Sequence, residues 1–254
     1  MAVHFHPLTI KKIKQETPEC VSVSFDVPDQ LAEEFLYKEG QNITLKAMIN
    51  GTELRRSYSL CTAPHEGEIK VAIKSVEGGV FSQYAQNLQK GDVVEVMPPV
   101  GKFNAKLTGL NYLAIAAGSG ITPVISIIKH TLQTLPESRF TLVYGNKSRG
   151  SIIFFEELEA LKNRFMQRFT FINILSREKT DASINYGRIN HDKLEDLQQL
   201  VDFKSFNAAY ICGPEEMIFA ATDFLQNVGM DKGNIHFELF TTPGQSYSKK
   251  ETLA

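Results

Sequence analysis

The second half of the chain contains apolar runs too continuous for strands that have one face in water. Stretches with apolar residues at helical spacing separate these runs. A strand that is apolar on both faces is typical of a parallel sheet covered by helices on both sides. The alternation therefore predicts a doubly wound α/β domain with a five-stranded parallel sheet, built on the runs YLAIAAG, FTLVYGN, FTFINILS, AAYICGP and IHFELF.

Residues 1–105 follow a different pattern, with six short segments rich in β-branched residues and turn signals between them. This spacing predicts a small closed six-stranded antiparallel Greek-key β-barrel. One helix is expected in this half because Phe81, Tyr84 and Leu88 recur at helical spacing, and a shorter one is expected over 31–36. The sequence thus predicts two domains and a tail, namely a barrel domain over 1–107, a nucleotide-binding domain over 108–240 and a linker-like segment over 241–254.

The composition argues against several classes of protein. The 254 residues carry a formal net charge of -2, so the basic surface typical of proteins that bind nucleic acid or anionic lipid is not expected. No apolar run approaches the roughly 18 residues of a membrane-spanning helix, and the first residues do not resemble a signal peptide. The three cysteines fit a reducing compartment and are too few for an iron–sulfur cluster held by four thiolates. We therefore expect a cytoplasmic protein with no nucleic-acid or membrane partner.

The segment AAGSGITP connects the first apolar run to a helical stretch. Gly118 and Gly120 permit a tight turn and close backbone approach to a ligand, and the helix N-terminus beyond them offers N–H groups to phosphate oxygens. Pro123 suits a first helical turn, and Thr122 is the expected N-cap. The segment lacks the third glycine of the dinucleotide fingerprint, so phosphate binding and an ordinary strand-to-helix turn both stay open.

The ends of the second and third apolar runs bear on which nucleotide would bind. An NAD site usually has a carboxylate at the end of the second strand, where it holds the ribose. Here the second run ends in Asn146 and Lys147, and the third ends in Ser176 and Arg177. Cationic side chains at strand ends suit the additional 2′-phosphate of NADP, although they are also common in solvated loops. We therefore predict NADP, with NAD as the alternative.

A second glycine turn, VEGGVFSQY, lies between a barrel strand and the helix expected in the barrel. Gly78 and Gly79 free the backbone, and Ser82 stands at the start of the helix. Backbone N–H groups could therefore converge on a phosphate here as well. A plain connection between a strand and a helix is the better explanation when the turn is considered alone.

The segment LRRSYSL changes the interpretation of that turn. Arg56 and Tyr58 are two residues apart on a predicted strand, so their side chains point to one face. A guanidinium can bind phosphate in a bidentate manner, a phenol ring can lie against a flat ring system, and Ser59 adds a hydroxyl. The three residues indicate a planar cofactor that carries phosphate. Arg55 points to the opposite face and is expected in solvent.

Five short motifs follow one another along residues 1–240. They are R-x-Y-S at Arg56, Ser57, Tyr58 and Ser59, G-G-x-x-S at Gly78, Gly79, Val80, Phe81 and Ser82, G-x-G-(I/V)-(T/A)-P at 118–123, C-G-P-x-x-M at Cys212, Gly213, Pro214 and Met217, and E-x-aromatic at Glu238 and Phe240. The ordered set resembles the ferredoxin–NADP reductase superfamily. Within it, stretches such as YLAIAAGSGITP and YICGPEEM resemble the reductase subunits of phenylacetyl-CoA epoxidases.

The resemblance implies that FAD binds in the cleft between the barrel and the parallel sheet. It implies flavin-binding roles for Arg56, Ser57, Tyr58, Ser59, Ile73, Lys74, Gly78, Gly79, Val80, Phe81 and Ser82. The nicotinamide nucleotide would bind at Gly118, Gly120, Thr122, Pro123, Asn146, Lys147, Ser176, Arg177, Cys212, Gly213, Pro214 and Met217. Arg177 would hold the 2′-phosphate, and Thr122 and Cys212 would flank the nicotinamide.

The resemblance also implies a reaction. NADPH would deliver a hydride to FAD, single electrons would pass to an iron–sulfur centre, and Ser59, Cys212 and Glu238 would be the catalytic residues around the reacting atoms. Similar reductases continue into a plant-type 2Fe–2S domain, whereas this chain ends at Ala254. The expectation is either a fragment or a separate ferredoxin-like partner, with an oxygenase that acts on phenylacetyl-CoA as the final acceptor.

Other functions stay open on sequence grounds. The same core would serve a stand-alone flavin, quinone or globin-linked reductase, or a regulatory module that binds flavin or nucleotide without hydride transfer. A hydrolase is disfavoured because Ser119 lies in G-S-G rather than in the G-x-S-x-G turn of such enzymes. No metal site is expected, since His4 and His6 share a strand face but lack further ligands at metal-binding spacing.

Overall fold

The computed structural model describes residues 4–104 and 109–240. An antiparallel sheet occupies the first range and a parallel sheet the second, so the predicted fold class is confirmed. The domain boundary expected between 107 and 108 and the linker-like segment over 241–254 lie outside the described residues. Within the described ranges, none of the helices is long and apolar enough to cross a membrane.

The barrel contains six strands and one α-helix. They are β1 (His6–Thr17), β2 (Cys20–Asp26), β3 (Asn42–Ile49), β4 (Thr52–Ser59), β5 (Ile69–Lys74), α1 (Val80–Ala85) and β6 (Val93–Val100). The strands pair in the order β4-β3-β6-β1-β2-β5, and a bridge between Leu60 and Val71 joins the two ends of this sheet. The interior is apolar because alternate residues of each strand point inward, as Val23, Leu45 and Val96 do.

The short helix expected over 31–36 is wrong. A single 3-10 turn covers Asp29–Leu31 instead, and irregular turns follow it. Only Phe35 is buried among residues 31–36, so the segment has no apolar face that would hold a short helix against the core. Phe35 of this segment packs into the barrel interior, whereas Leu36 is exposed.

Over residues 109–240, the α/β half contains five strands and four α-helices. They are β7 (Asn111–Ala117), α2 (Ile121–Thr134), β8 (Arg139–Asn146), α3 (Phe155–Arg164), β9 (Phe169–Leu175), α4 (His191–Leu197), β10 (Ala208–Gly213), α5 (Glu215–Asn227) and β11 (Ile235–Leu239). All five strands are parallel, in the order β11-β10-β7-β8-β9. The chain leaves β7 toward β8 but later returns to its other side with β10. Sheets of this kind bind their ligands at such a switch point, so a ligand site is expected at the carboxyl ends of β7 and β10.

Helix α2 lies between the parallel sheet and the barrel. Every residue from Ile121 to Lys129 is buried, which a helix with one face in water would not show. The apolar core on this side of the sheet also includes Cys20, Cys61 and Phe103 from the barrel half. Helices α4 and α5 pack on a second core, which covers the opposite face of the sheet.

Gly40 lies in a loop of the barrel that contacts both Phe103 and α2. Its φ is +78°, and a Cβ there would lie 1.9 Å from the carbonyl oxygen of Phe103 and 3.2 Å from Ile127 Cδ1. Its N–H donates to Ser126 Oγ of α2 at 3.3 Å. Glycine at this position therefore lets the barrel contact the helix.

The substitution Gly40→Ala should destabilise the protein much more than Gly51→Ala. The two glycines have φ values of +78° and +75°, so the backbone cost of a side chain is similar, but a Cβ at Gly51 would meet nothing within 4 Å. We expect losses in the free energy of unfolding of about 3 kcal/mol at Gly40 and about 1 kcal/mol at Gly51. Urea unfolding of both variants measures the difference, and equal losses would contradict the close approach.

Candidate functional site

The predicted nucleotide turn lies at the topological switch. Gly118–Gly120 form a 3-10 turn between β7 and α2, and Gly118 has a φ of +54°. A Cβ at Gly120 would lie 2.1 Å from the carbonyl oxygen of Cys212, so the turn rests directly on the end of β10. Tyr144 Oη donates to the carbonyl oxygen of Gly118 at 2.8 Å and holds the turn from beneath. Space is open beside Gly118, where a Cβ would meet nothing within 4 Å.

Thr122 is not the N-cap of α2, so that prediction is wrong. Gly120, whose backbone angles are already helical (φ -60°, ψ -12°), occupies the cap position before the helix begins at Ile121. Thr122 is buried inside the first turn, and its Oγ1 donates to the carbonyl oxygen of Ser119 at 3.0 Å. Pro123 follows within the same turn, where no intrahelical N–H donor is needed.

The C-G-P segment closes the other side of the switch. Cys212 is completely buried at the end of β10, and burial together with Glu238 raises the pKa of its thiol well above the usual value. A Cβ at Gly213 would lie 2.6 Å from Met217 Cε, so glycine permits the methionine to pack against the strand end. Pro214 is exposed and precedes α5. The G-x-G turn after β7 and the C-G-P segment after β10 therefore contact each other.

The two flavin motifs of the barrel also contact each other. The ring centroids of Tyr58 and Phe81 are 5.9 Å apart, which joins the R-x-Y-S and G-G-x-x-S segments. Burial raises the pKa of Tyr58 to about 12, against the opposing charge of Arg56. Arg56 is half-buried and its Nη1 donates to the carbonyl oxygen of Arg55 at 2.7 Å. Arg55 itself is exposed, as predicted, and its Nη2 lies 2.6 Å from Glu53 Oε1.

The glycine turn before α1 is held by a serine. Ser82 Oγ donates to the carbonyl oxygen of Gly79 at 2.9 Å and accepts from the N–H of Val76 at 3.1 Å. Gly78 has a φ of +72° and faces open space, and Val80 is exposed at the first turn of α1. The first N–H groups of a helix have no partner within the helix, so they are available to a phosphate.

Residues Ile73 and Lys74 lie on β5, next to this turn. The side chain of Ile73 is completely buried in the barrel, and its carbonyl oxygen accepts from Gln86 Nε2 at 3.1 Å. Lys74 Nζ lies 3.5 Å from Glu19 Oε2. These contacts hold in place the strand that leads into the glycine turn.

Ser57 lies on the opposite face of β4 from Tyr58. It shares a hydrogen bond of 2.9 Å with Thr44.

The three predicted catalytic residues lie together at the junction of the two domains. Ser59 Oγ donates to Glu238 Oε2 at 3.3 Å, although the two residues are 179 positions apart. Glu238 stands opposite Cys212 in the pairing of β10 with β11. Burial raises the pKa of Glu238 to about 7, and the hydrogen bond from Ser59 opposes that rise. A carboxyl group with this pKa can hold or release a proton near neutral pH.

The ends of β8 and β9 lie side by side, as the nucleotide prediction requires. The N–H of Ser176 donates to the carbonyl oxygen of Asn146 at 2.9 Å, and that of Arg177 donates to the carbonyl oxygen of Lys147 at 2.8 Å. The side chains of Lys147 and Arg177 are exposed at this edge. Two cationic groups are therefore available where a ribose phosphate would lie.

Sequence reasoning missed a carboxylate at the same edge. Glu178 Oε2 accepts from the N–H of Arg149 at 2.9 Å, so a carboxylate lies at the end of the second strand after all. It comes from the loop after β9 rather than from the loop after β8. Only the pairing of β8 with β9 brings the two loops together, and no local pattern signals it. The role of Tyr144 beneath Gly118 was missed for the same reason.

Comparison with known proteins agrees with this geometry. Residues 7–105 match the family described as oxidoreductase FAD-binding domain, and residues 114–223 match the oxidoreductase NAD-binding domain. The chain is 46% identical over 246 residues to a subunit of the 1,2-phenylacetyl-CoA epoxidase of Escherichia coli (strain K12), an alignment that covers 94% of this chain and 69% of that protein. The chain belongs to the ferredoxin–NADP reductase family. The resemblance inferred from the five motifs is thus confirmed.

Two further family members show how far the similarity extends. The ferredoxin reductase component of the 3-ketosteroid-9-alpha-monooxygenase of Rhodococcus rhodochrous is 34% identical over 238 residues, covering 92% of this chain and 65% of that protein. The chain thus spans about two thirds of the length of the Escherichia coli subunit and of the Rhodococcus rhodochrous component. The ferredoxin NADP+ reductase from Neisseria gonorrhoeae is similar in fold, with a TM-score of 0.80 at 20% identity, covering 94% of this chain and 100% of that one.

The residues present fit the two cofactors that this oxidoreductase family implies. Asn146 Nδ2 is buried at the end of β8 without a hydrogen-bond partner in the described part of the chain, and a buried donor of this kind suits an acceptor on a ligand. Gly118 and Gly78 both leave open space beside a backbone turn. Each domain therefore leaves space beside a glycine turn, where the nucleotide would bind in one and FAD in the other.

The variant Glu238→Gln should change how stability depends on pH. The pKa of Glu238 is about 7 in the folded protein against an ordinary value of 4.5, so the folded state holds the proton more tightly. Its stabilising contribution is therefore present at low pH and is lost as pH rises through 7. Relative to the variant, the parent should lose roughly 1–2 kcal/mol from about pH 5.5 to about pH 8.5, after allowance for solvent screening.

Urea unfolding of the flavin-free protein at the two pH values measures this loss. Glu216→Gln, at an exposed carboxylate on α5, is the matched control. A difference between parent and Glu238→Gln that stays constant with pH would contradict the raised pKa.

Proposed function

We propose that this reductase takes hydride from NADPH and passes single electrons to an iron–sulfur centre that serves an oxygenase. The observation that supports the proposal is the contact between Ser59 and Glu238 at 3.3 Å, which joins the R-x-Y-S segment of the barrel to β11 of the sheet, beside Cys212. FAD, when bound, accepts a hydride equivalent and can give up its two electrons one at a time. The acceptor would be a plant-type 2Fe–2S centre, in a further segment or in a ferredoxin-like partner.

The substrate of the oxygenase is proposed from similarity. The relative that is 46% identical is named as a subunit of 1,2-phenylacetyl-CoA epoxidase. We therefore infer that the electrons serve an epoxidase acting on phenylacetyl-CoA, in phenylacetate degradation. The partner oxygenase, and not this chain, would bind that substrate.

Each group of residues would act by position and charge. Arg56 would bind the pyrophosphate of FAD, and Tyr58 would pack on its ring system, since the phenol stays neutral with a pKa of about 12. Ser59 Oγ would hydrogen-bond at the edge of that ring system. Glu238 would hold a proton on its carboxyl group and share it with Ser59, as its pKa of about 7 permits. Cys212, a buried neutral thiol, would limit the space beside the nicotinamide.

A simple spectroscopic experiment tests the proposal. The purified chain, reconstituted with FAD, should be yellow and should lose its colour promptly when NADPH is added without oxygen. A protein that cannot be reconstituted with FAD would contradict the proposal. A yellow protein that neither NADPH nor NADH bleaches would be a binding module instead. Electron delivery to a 2Fe–2S protein, compared with delivery to a free quinone, then distinguishes the reductase component from a stand-alone reductase.

Preference for NADPH should depend on Arg177. Its exposed guanidinium, beside Lys147, would form charge-assisted hydrogen bonds with the 2′-phosphate. Arg177→Ala should therefore raise the KM for NADPH by about tenfold or more and leave the KM for NADH within about twofold, by the usual strength of such bonds. Lys179→Ala, at an exposed lysine two residues away, is the control. Equal rates with both nucleotides in the parent would remove the argument for NADPH.

A further inference from the structure

The buried helix α2 carries a stripe of polar residues that faces the barrel. Lys129 and His130 lie three and four residues after Ser126, so each of them neighbours Ser126 on the helix surface. Ser126 Oγ donates to the carbonyl oxygen of Thr62 at 2.6 Å, and His130 Nε2 lies 3.7 Å from Glu39 Oε2. Each of these contacts joins the nucleotide domain to the flavin domain.

Lys129 is the most buried cation of this stripe. Its side chain is 6% exposed, and its Nζ lies 2.7 Å from Glu66 Oε2 of the barrel and 2.8 Å from Glu157 Oε1 of α3. Glu66 is fixed within its own turn, because Oε2 also accepts from the N–H of Ala63 at 2.6 Å. One ammonium group is thus shared between a carboxylate of each domain.

The charges around Lys129 alternate across the interface. Glu157 Oε2 lies 3.9 Å from Lys70 Nζ on β5, so the chain of charges runs from Glu66 through Lys129 and Glu157 back to the barrel. The two positive charges of this group equal its two negative charges in number, so the group has no net charge. A buried cation that loses one carboxylate retains its desolvation penalty, so this arrangement favours a single relative orientation of the two domains. Surface pairs, which solvent screens, would not select an orientation in this way.

The same helix begins at the nucleotide turn. Thr122 lies seven residues before Lys129, about 10 Å along the helix axis, and it falls on the same side as Ser126. Because a helix is stiff over this length, the position of α2 at Lys129 sets the position of its first turn. That turn rests on Cys212, close to the junction with Ser59 of the barrel.

We propose that Lys129 is a positioning residue for hydride transfer, holding the nucleotide domain through Glu66 in the orientation that aligns the two cofactor sites. The proposal rests on the proposed function. The flavin contacts come from the barrel, whereas the phosphate contacts of the nucleotide come from the α/β domain. Loss of the ion pair should therefore slow hydride transfer without weakening the binding of either cofactor.

The first test separates rate from affinity. In the FAD-loaded protein, Lys129→Met should lower the rate of flavin reduction at saturating NADPH by about tenfold or more, since small misplacements of reacting groups are costly. The dissociation constants for FAD and NADPH should change by less than about twofold. Lys129→Arg should restore the rate, because it keeps the charge and a cavity of about 200 Å³ beside Lys129 gives room for the guanidinium. Lys162→Met, at an exposed lysine of α3, is the matched control.

The second test needs no activity. Spin labels on cysteines introduced at Lys11 and Asn163, both exposed, report the distance between the domains in the full chain as purified. Lys129→Met should broaden the distance distribution, whereas Lys129→Arg and Lys162→Met should leave it unchanged. Glu66→Gln keeps the pair between Lys129 and Glu157, so it serves if Lys129→Met fails to fold, and it should broaden the distribution in the same way.

The outcomes distinguish this proposal from the proposed function. A parental distance distribution in both Lys129→Met and Glu66→Gln would overturn the positioning role. A weaker NADPH affinity at an unchanged limiting rate would also overturn it. If the parent is not reduced by NADPH, the proposed function fails, while the label distances still decide whether Lys129 orients the domains.

Discussion

Helix α2 is buried on two sides, and its packing determines how the barrel and the parallel sheet meet. One side of the helix covers the parallel sheet, and the other side faces the barrel. Contact between apolar surfaces alone would tolerate sliding, since the hydrophobic effect has no direction. The buried hydroxyl of Ser126 and the buried ammonium of Lys129 remove that tolerance, because each requires a partner at a definite distance. The interface therefore has both an apolar core and a fixed register.

The candidate site follows from this interface and belongs to neither domain alone. Ser59 comes from β4 of the barrel, whereas Cys212 and Glu238 come from neighbouring strands of the sheet. Residues 179 positions apart meet only when the domains are docked. The same docking excludes water from the carboxyl group of Glu238 and so raises its pKa. Docking of the two domains therefore both brings these residues together and raises the pKa of Glu238.

Local patterns in the sequence were sufficient for the architecture and for the order of the motifs. Apolar runs mark strands buried on both faces, and the glycines at 118 and 120 mark a turn that no side chain could occupy without a clash or strain. Local patterns failed where long-range contacts decide the outcome. Thr122 has the chemistry of a cap, but Gly120 before it already has helical angles and takes the cap position. The partners of Glu178 and Lys129 lie on other elements, so no spacing along the chain reveals them.

The burial of the thiols affects how readily the protein is oxidised. Peroxide attacks thiolates rather than thiols, so a raised thiol pKa slows oxidation of a cysteine. All three cysteines of the chain are buried, and burial raises the pKa of Cys20 and of Cys61 to about 12. Cys212 is shifted in the same direction. All three cysteines lie in the core shared by the two domains, so the same interface keeps their sulfur atoms protonated.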